Sequence, residues 1–238
     1  MNKFASAIAL LGAMLPLGAA NAATLRVDLS GYVYFNTQDV AAQFPYGTTV
    51  TAWFKYDTEA PGQPYLPGGV VNPNVTLYDN APIAGAMRVG DYDVTFSDRA
   101  RMWVTNNEQA GDRIIDRILF DDHYPMAGDV AGRSIDAISW GWQDASAQAL
   151  DDMLLPTSQA TFDRIPDVRG SIDWTPYIGA QHRISFAFTS VMVSQVPEPH
   201  TWGLLILGFG VIGYSARRKG GARFNRAVSN QVPHLLAG

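Results

Sequence analysis

The sequence predicts an all-β domain, an antiparallel β-sandwich or jelly roll, and three observations carry that expectation. Apolar residues recur at every second position in several short runs, which places them on one face of a strand. Of the 22 acidic residues 19 are Asp, which suits turns and caps better than helix interiors, and 22 Gly and 14 Pro punctuate the runs. No long segment keeps a 3.6-residue apolar stripe. Short strands joined by turns are the pattern of sandwiches and jelly rolls.

The chain opens with Met1-Asn2-Lys3, continues with a mostly apolar run over residues 4–17 and reaches the small-residue site Ala20-Asn21-Ala22. A basic start, a short apolar core and a small-x-small site make a secretory signal peptide over residues 1–22, with signal peptidase cutting between Ala22 and Ala23. Residues 23–196 then form one exported domain, long enough to bury its own core.

Within that domain Leu25, Val27 and Leu29 alternate with Arg26 and Asp28. Val50, Ala52 and Phe54 alternate with Thr51 and Trp53, and Ile184, Phe186 and Phe188 with Ser185, Ala187 and Thr189. Further strands are expected at 32–35, 75–78, 92–96, 101–105, 114–120 and 135–142. Pro61-Gly62, Pro67-Gly68-Gly69, Asn106-Asn107 and Ala127-Gly128-Asp129 read as turns between them. Residues 143–155 could contribute one or two turns of helix, and residues 39–44 one more.

Charge and cysteine content narrow the function. Residues 23–196 hold 11 Lys and Arg against 21 Asp and Glu, a net charge near −10. Phosphate backbones repel such a surface, so nucleic acid is excluded as a partner. The chain has no cysteine, so stability comes from burial, with bound cations as the other available source.

The last stretch reads differently. Val196-Pro197-Glu198-Pro199 precedes an uncharged run over 201–216, closed by Arg217-Arg218-Lys219. An apolar run ending in cations halts in a membrane with the cations on the cytoplasmic side. Pro197, Glu198, Pro199, Trp202, Gly208, Gly210, Gly213, Arg217, Arg218 and Lys219 resemble the PEP-CTERM sorting signal, a segment also labelled ice-binding protein C-terminal domain. The resemblance covers about a tenth of the chain. It implies a sorting signal over 197–219 with a transmembrane helix over 201–216, and a basic cytoplasmic tail over 220–238. It also implies an exosortase-type enzyme acting near Pro197-Glu198-Pro199, an inner-membrane intermediate, and a final place at the cell surface or outside the cell. Gly31, Asp39, Gly47 and the final strand are loosely similar to exported domains of this family, which implies a β-sandwich and carries over no catalytic residue.

Two rival readings of that stretch are a dinucleotide-binding turn, which fails, and a permanent anchor, which fits less well than a transient sorting helix. The Gly208-x-Gly210-x-x-Gly213 spacing matches a dinucleotide-binding turn, but no acidic residue follows Glu198 and too little chain remains for the βαβ unit. A permanent anchor needs more length: 16 residues of helix reach about 24 Å, against a hydrocarbon core of about 30 Å.

Two constellations could carry chemistry. Asp121 and Asp122, in Asp121-Asp122-His123-Tyr124, are candidate Ca²⁺ ligands, since that ion collects carboxylate and carbonyl oxygens. A solvated turn is the plainer reading. Trp140 and Trp142 fall on one strand face about 7 Å apart and are candidate carbohydrate-binding residues, although Ile138 on the same face argues for core. Trp53, Trp103 and Trp174 share this ambiguity. Catalytic residues do not emerge. The histidines of the domain, His123 and His182, lie far apart without a Gly-x-Ser-x-Gly or His-Glu-x-x-His motif, and abundant acids make chance carboxylate pairs uninformative.

The leading expectation is therefore a non-catalytic, exosortase-processed envelope or extracellular-matrix protein that could bind extracellular polysaccharide. A secreted carbohydrate-active enzyme on a jelly-roll scaffold and a self-associating structural or adhesive module are the alternatives.

Overall fold

Leu25, Val27, Leu29 and Val33 are all buried along a single 13-residue strand, β1 (Thr24–Asn36), which absorbs two runs that the sequence reads as separate. In the computed structural model, residues 24–123, 129–130, 133–165, 167–174, 182–196, 206–210 and 212 are described. The chain divides into two units, Met1–Val196 and Pro197–Gly238.

In the first unit the strands after β1 are β2 (Thr49–Asp57), β3 (Gln63–Tyr65), β4 (Asn72–Tyr78), β5 (Pro82–Val89), β6 (Tyr92–Thr95), β7 (Arg101–Ala110) and β8 (Arg113–Asp122). Then come β9 (Asp129–Val130), β10 (Arg133–Asp144), the short helix α1 (Gln159–Asp163), β11 (Asp167–Trp174) and β12 (His182–Gln195). They join in the order β3-β4-β7-β8-β10-β11-β12-β1-β2-β5-β6, with β9 paired to β10. Every pairing is antiparallel.

The all-β expectation stands, but the strands form one continuous hydrogen-bonded sheet rather than two separate ones. The sheet doubles over on itself. Phe54 of β2 packs on Phe120 of β8 at 5.1 Å and on Trp140 of β10 at 5.9 Å, although several strands lie between them in the sheet. Long strands with bulges permit the bend, because a bulge adds local twist and curvature. In the β1–β12 pair the register shifts between Ser30 and Gly31 and again between Val33 and Phe35.

Gly31 is required at the first of these bulges. A Cβ there would lie 1.9 Å from the Ala187 carbonyl oxygen and 2.7 Å from the Phe188 Cα, both backbone atoms that cannot rotate away. Gly31→Ala is expected to cost about 2–3 kcal/mol, as overpacked sites do. Urea denaturation checks this, and a loss below about 0.5 kcal/mol would show that β12 yields freely.

Four strands lie outside the runs expected from the sequence, β3, β5, β9 and β11, and β9 begins at Asp129, where a turn was expected. In β11, Val168, Ile172 and Trp174 point inward, but Gly170 interrupts the alternation because β11 is pressed against its neighbours. A Cβ at Gly170 would meet the Ser139 carbonyl oxygen at 2.4 Å. β5 is rich in small residues, and β3 holds Pro64. The Asn106-Asn107 turn signal reports a bulge inside β7, where Asn107 takes φ 56° and the register with β8 shifts. The hairpin turn itself lies at Gly111, φ 66°.

The expected helix over 143–155 is absent. β10 runs to Asp144, and the loop beyond it is held by tertiary contacts. The buried Tyr56 hydroxyl donates to the Pro156 carbonyl at 2.6 Å, and the Tyr78 hydroxyl to the Met153 carbonyl at 2.7 Å. Burial pushes the Tyr56 phenol well above its ordinary range, so the latch stays protonated. Residues 39–44 form hydrogen-bonded turns, with Phe44 N–H donating to Val40 O at 2.9 Å. In the second unit residues 206–210 are helical. Among the described residues no helix is long and apolar enough to cross a membrane.

Candidate functional site

Opposite residues on neighbouring antiparallel strands share a face, and three rows across β4, β7 and β8 define a groove on the outer face of the sheet. Val75, Thr105 and Arg117 make one row, Leu77, Trp103 and Leu119 the next, and Arg101 with Asp121 the third. All of these but Leu77, with Tyr65 of β3, Glu108 of β7 and His123 just after β8, line a groove of about 420 Å³, within the usual range for small-ligand sites. Val75 and Thr105 are buried and form its floor.

Asp121 organises this surface. Its carboxylate accepts from Arg101 Nε at 2.9 Å and Nη2 at 3.2 Å, and from Trp103 Nε1 at 2.9 Å. His123 Nε2 lies 2.7 Å from Oδ2, the oxygen that also accepts from Arg101 Nη2. The Arg101 guanidinium sits 5.0 Å from the Trp103 ring centroid, and Tyr65 meets the same indole edge to face at 4.7 Å. Charge-assisted bonds of this kind fix the planes of both aromatic and guanidinium groups. Arg117 Nη2 donates to Glu108 at 3.2 Å. The groove thus offers planar hydrogen-bonding groups beside aromatic surface.

The structure regroups the residues singled out in the sequence. Trp140 and Trp142 are 1 % and 0 % exposed, with Trp140 stacked on Phe120 at 4.1 Å and Trp142 against Phe162 at 4.9 Å. No sugar can reach either ring, so the platform reading of this pair is corrected to core. Asp121 and Asp122, 3 % and 1 % exposed, point to opposite faces of β8 and cannot converge on one cation through their side chains. Asp122 is paired in register with buried Ile138 and accepts from the Ser97 N–H and Oγ at 2.7 and 2.8 Å. The Ca²⁺ reading of this pair is corrected accordingly. Among the described residues no three His, Asp or Glu side chains gather as metal ligands.

His182 lies against Asp39, away from the groove. Trp103, one of the ambiguous tryptophans, becomes the central residue. What marks it is a pairing with Asp121, 18 positions away, through hairpin register that no local pattern reveals. The signal-peptide residues Ala20, Ala22 and Ala23 lie outside the described residues. So do Pro197, Glu198, Pro199, Trp202, Arg217, Arg218 and Lys219 of the sorting stretch, and the tail over 220–238.

Fold and groove together define an all-β domain with a ligand-sized depression on its outer face. The chain also carries the PEP-CTERM protein-sorting motif, which matches residues 195–219. That motif implies an exported protein processed at the membrane by an exosortase. No curated protein and no solved structure matches the chain.

Proposed function

We propose that this protein is an envelope or extracellular-matrix component that binds extracellular polysaccharide through the outer-face groove, without catalysis. The carrying observation is the convergence of Trp103 and Tyr65 with Arg101, Asp121 and His123 in one depression. A pyranose presents an apolar C–H face and a rim of hydroxyls that both donate and accept. Aromatic residues take the first, and the solvent-facing Arg101 guanidinium and His123 imidazole, both held in place by buried Asp121, take the second. Export favours the same reading, since the sorting motif implies delivery to the compartment where such polymers lie.

The two alternatives draw less support. A glycosidase needs two carboxylates free to exchange protons with the substrate, whereas Asp121 and Glu108 are each engaged by an arginine. Self-association by edge pairing needs a long open edge, whereas the sheet ends in β3, three residues with Pro64, and β6, four residues.

Trp103→Ala is expected to weaken binding to the host's own extracellular polysaccharide at least tenfold, about 1.4 kcal/mol. Trp53→Ala, at a half-buried outer-face tryptophan on β2 outside the groove, is expected to leave binding unchanged. Titration calorimetry with the purified polymer measures both. Equal affinity of parent and Trp103→Ala would remove the groove from the function.

A further inference from the structure

We propose that the folded domain itself holds the front of the sorting motif in its sheet, so that processing waits for the last rungs of β12 to open. The inference rests on the sorting reading of the tail.

The motif begins at residue 195, inside the first unit rather than after it. Gln195 is the last residue of β12 and lies opposite Leu25 in the register with β1. The Val196 N–H donates to the Thr24 carbonyl at 3.0 Å. Pro197 follows with no spacer. Having no N–H, it cannot add a further ladder bond.

A processing enzyme reads its substrate as extended backbone, pairing with the same N–H and C=O groups that a sheet uses. Residues 194–196 cannot serve both at once. Little else holds these rungs, since Ser194 and Gln195 are exposed, and such ends belong to the low-stability part of a fold.

The opening has a natural limit. Two positions earlier the side-chain amide of Gln159 clasps the other edge of β12, donating to the Val191 carbonyl at 3.2 Å and accepting from the Val193 N–H at 2.6 Å. Fraying therefore stops near Val193, and the segment from Ser194 onward is what becomes available.

A cross-strand disulfide tests this. Arg26 and Ser194 are register partners at the outer face, and the chain has no cysteine to compete. Antiparallel partners have Cα atoms about 4.5–5.5 Å apart, inside the range a disulfide bridges. The full-length Arg26→Cys/Ser194→Cys protein, in a host with an exosortase, is expected to be processed at least tenfold more slowly after mild chemical oxidation than when kept reduced. Each single variant should behave as the parent. Inserting Gly-Ser-Gly-Ser between Val196 and Pro197 should restore processing of the oxidised form. Equal rates for oxidised and reduced protein, or a block that the insertion does not relieve, would overturn the proposal. Processing of a Pro197-Glu198-Pro199 triple-alanine variant at the parent's rate would instead overturn the sorting reading, whatever the disulfide does.

Discussion

Asp116→Ala is expected to cost about 4 kcal/mol of stability. Asp116 is 0 % exposed, yet it carries a carboxylate. One oxygen accepts from the Asn107 N–H at 2.9 Å, and the other from the Ala149 and Leu150 N–H groups at 3.0 and 2.9 Å. The residue thus joins β8 to the bulge in β7 and to the loop after β10. Alanine leaves three backbone donors without an acceptor, each worth about 1–3 kcal/mol when buried, with some recovery as water enters. For a domain of this size a loss near 4 kcal/mol lowers the melting temperature by roughly 10 °C. Asp116→Asn keeps one acceptor oxygen but turns an NH₂ towards a backbone donor, so about half the loss is expected. Chemical denaturation measures both, and hydrogen exchange should rise first at Ala149 and Leu150. A loss below about 1 kcal/mol for alanine would mean that these donors find water without disturbing the fold.

Replacing Pro197, Glu198 and Pro199 together by alanine is expected to abolish processing while leaving membrane insertion intact. The apolar run over 201–216 and Arg217-Arg218-Lys219 are untouched by the change, so the membrane halt and orientation that this pattern predicts are expected to be unchanged. What is lost is a pair of prolines, whose rings restrict φ to about −65° and remove two backbone N–H donors. Full-length protein should therefore accumulate in the membrane fraction, followed by immunoblotting of membrane and released material. Release at the parent's rate would reduce the tail to an anchor.

The legibility of the chain follows the range of the interactions involved. The sorting motif was readable because it is a linear signal: an enzyme meets its residues in chain order, so spacing alone identifies it. The alternation that predicts β1, β2 and β12 is similarly local, set by the period-two geometry of an extended chain. β5 and β11 escaped because Gly85 and Gly170 leave room where a neighbour presses in, and the reason for a small residue is a partner distant in sequence.

The sequence by itself therefore determined the all-β class, most strand positions and the sorting address. Tertiary structure alone decided that the strands make one sheet, that it folds over to bury Trp140 and Trp142, and that Asp121 and Asp122 part to opposite faces. It also decided that Trp103, unlike Trp140 and Trp142, lines an outer-face groove. The physical reason is that a strand's pattern states which residues share a face, whereas register and sheet order state which face is covered, and these depend on contacts between distant parts of the chain.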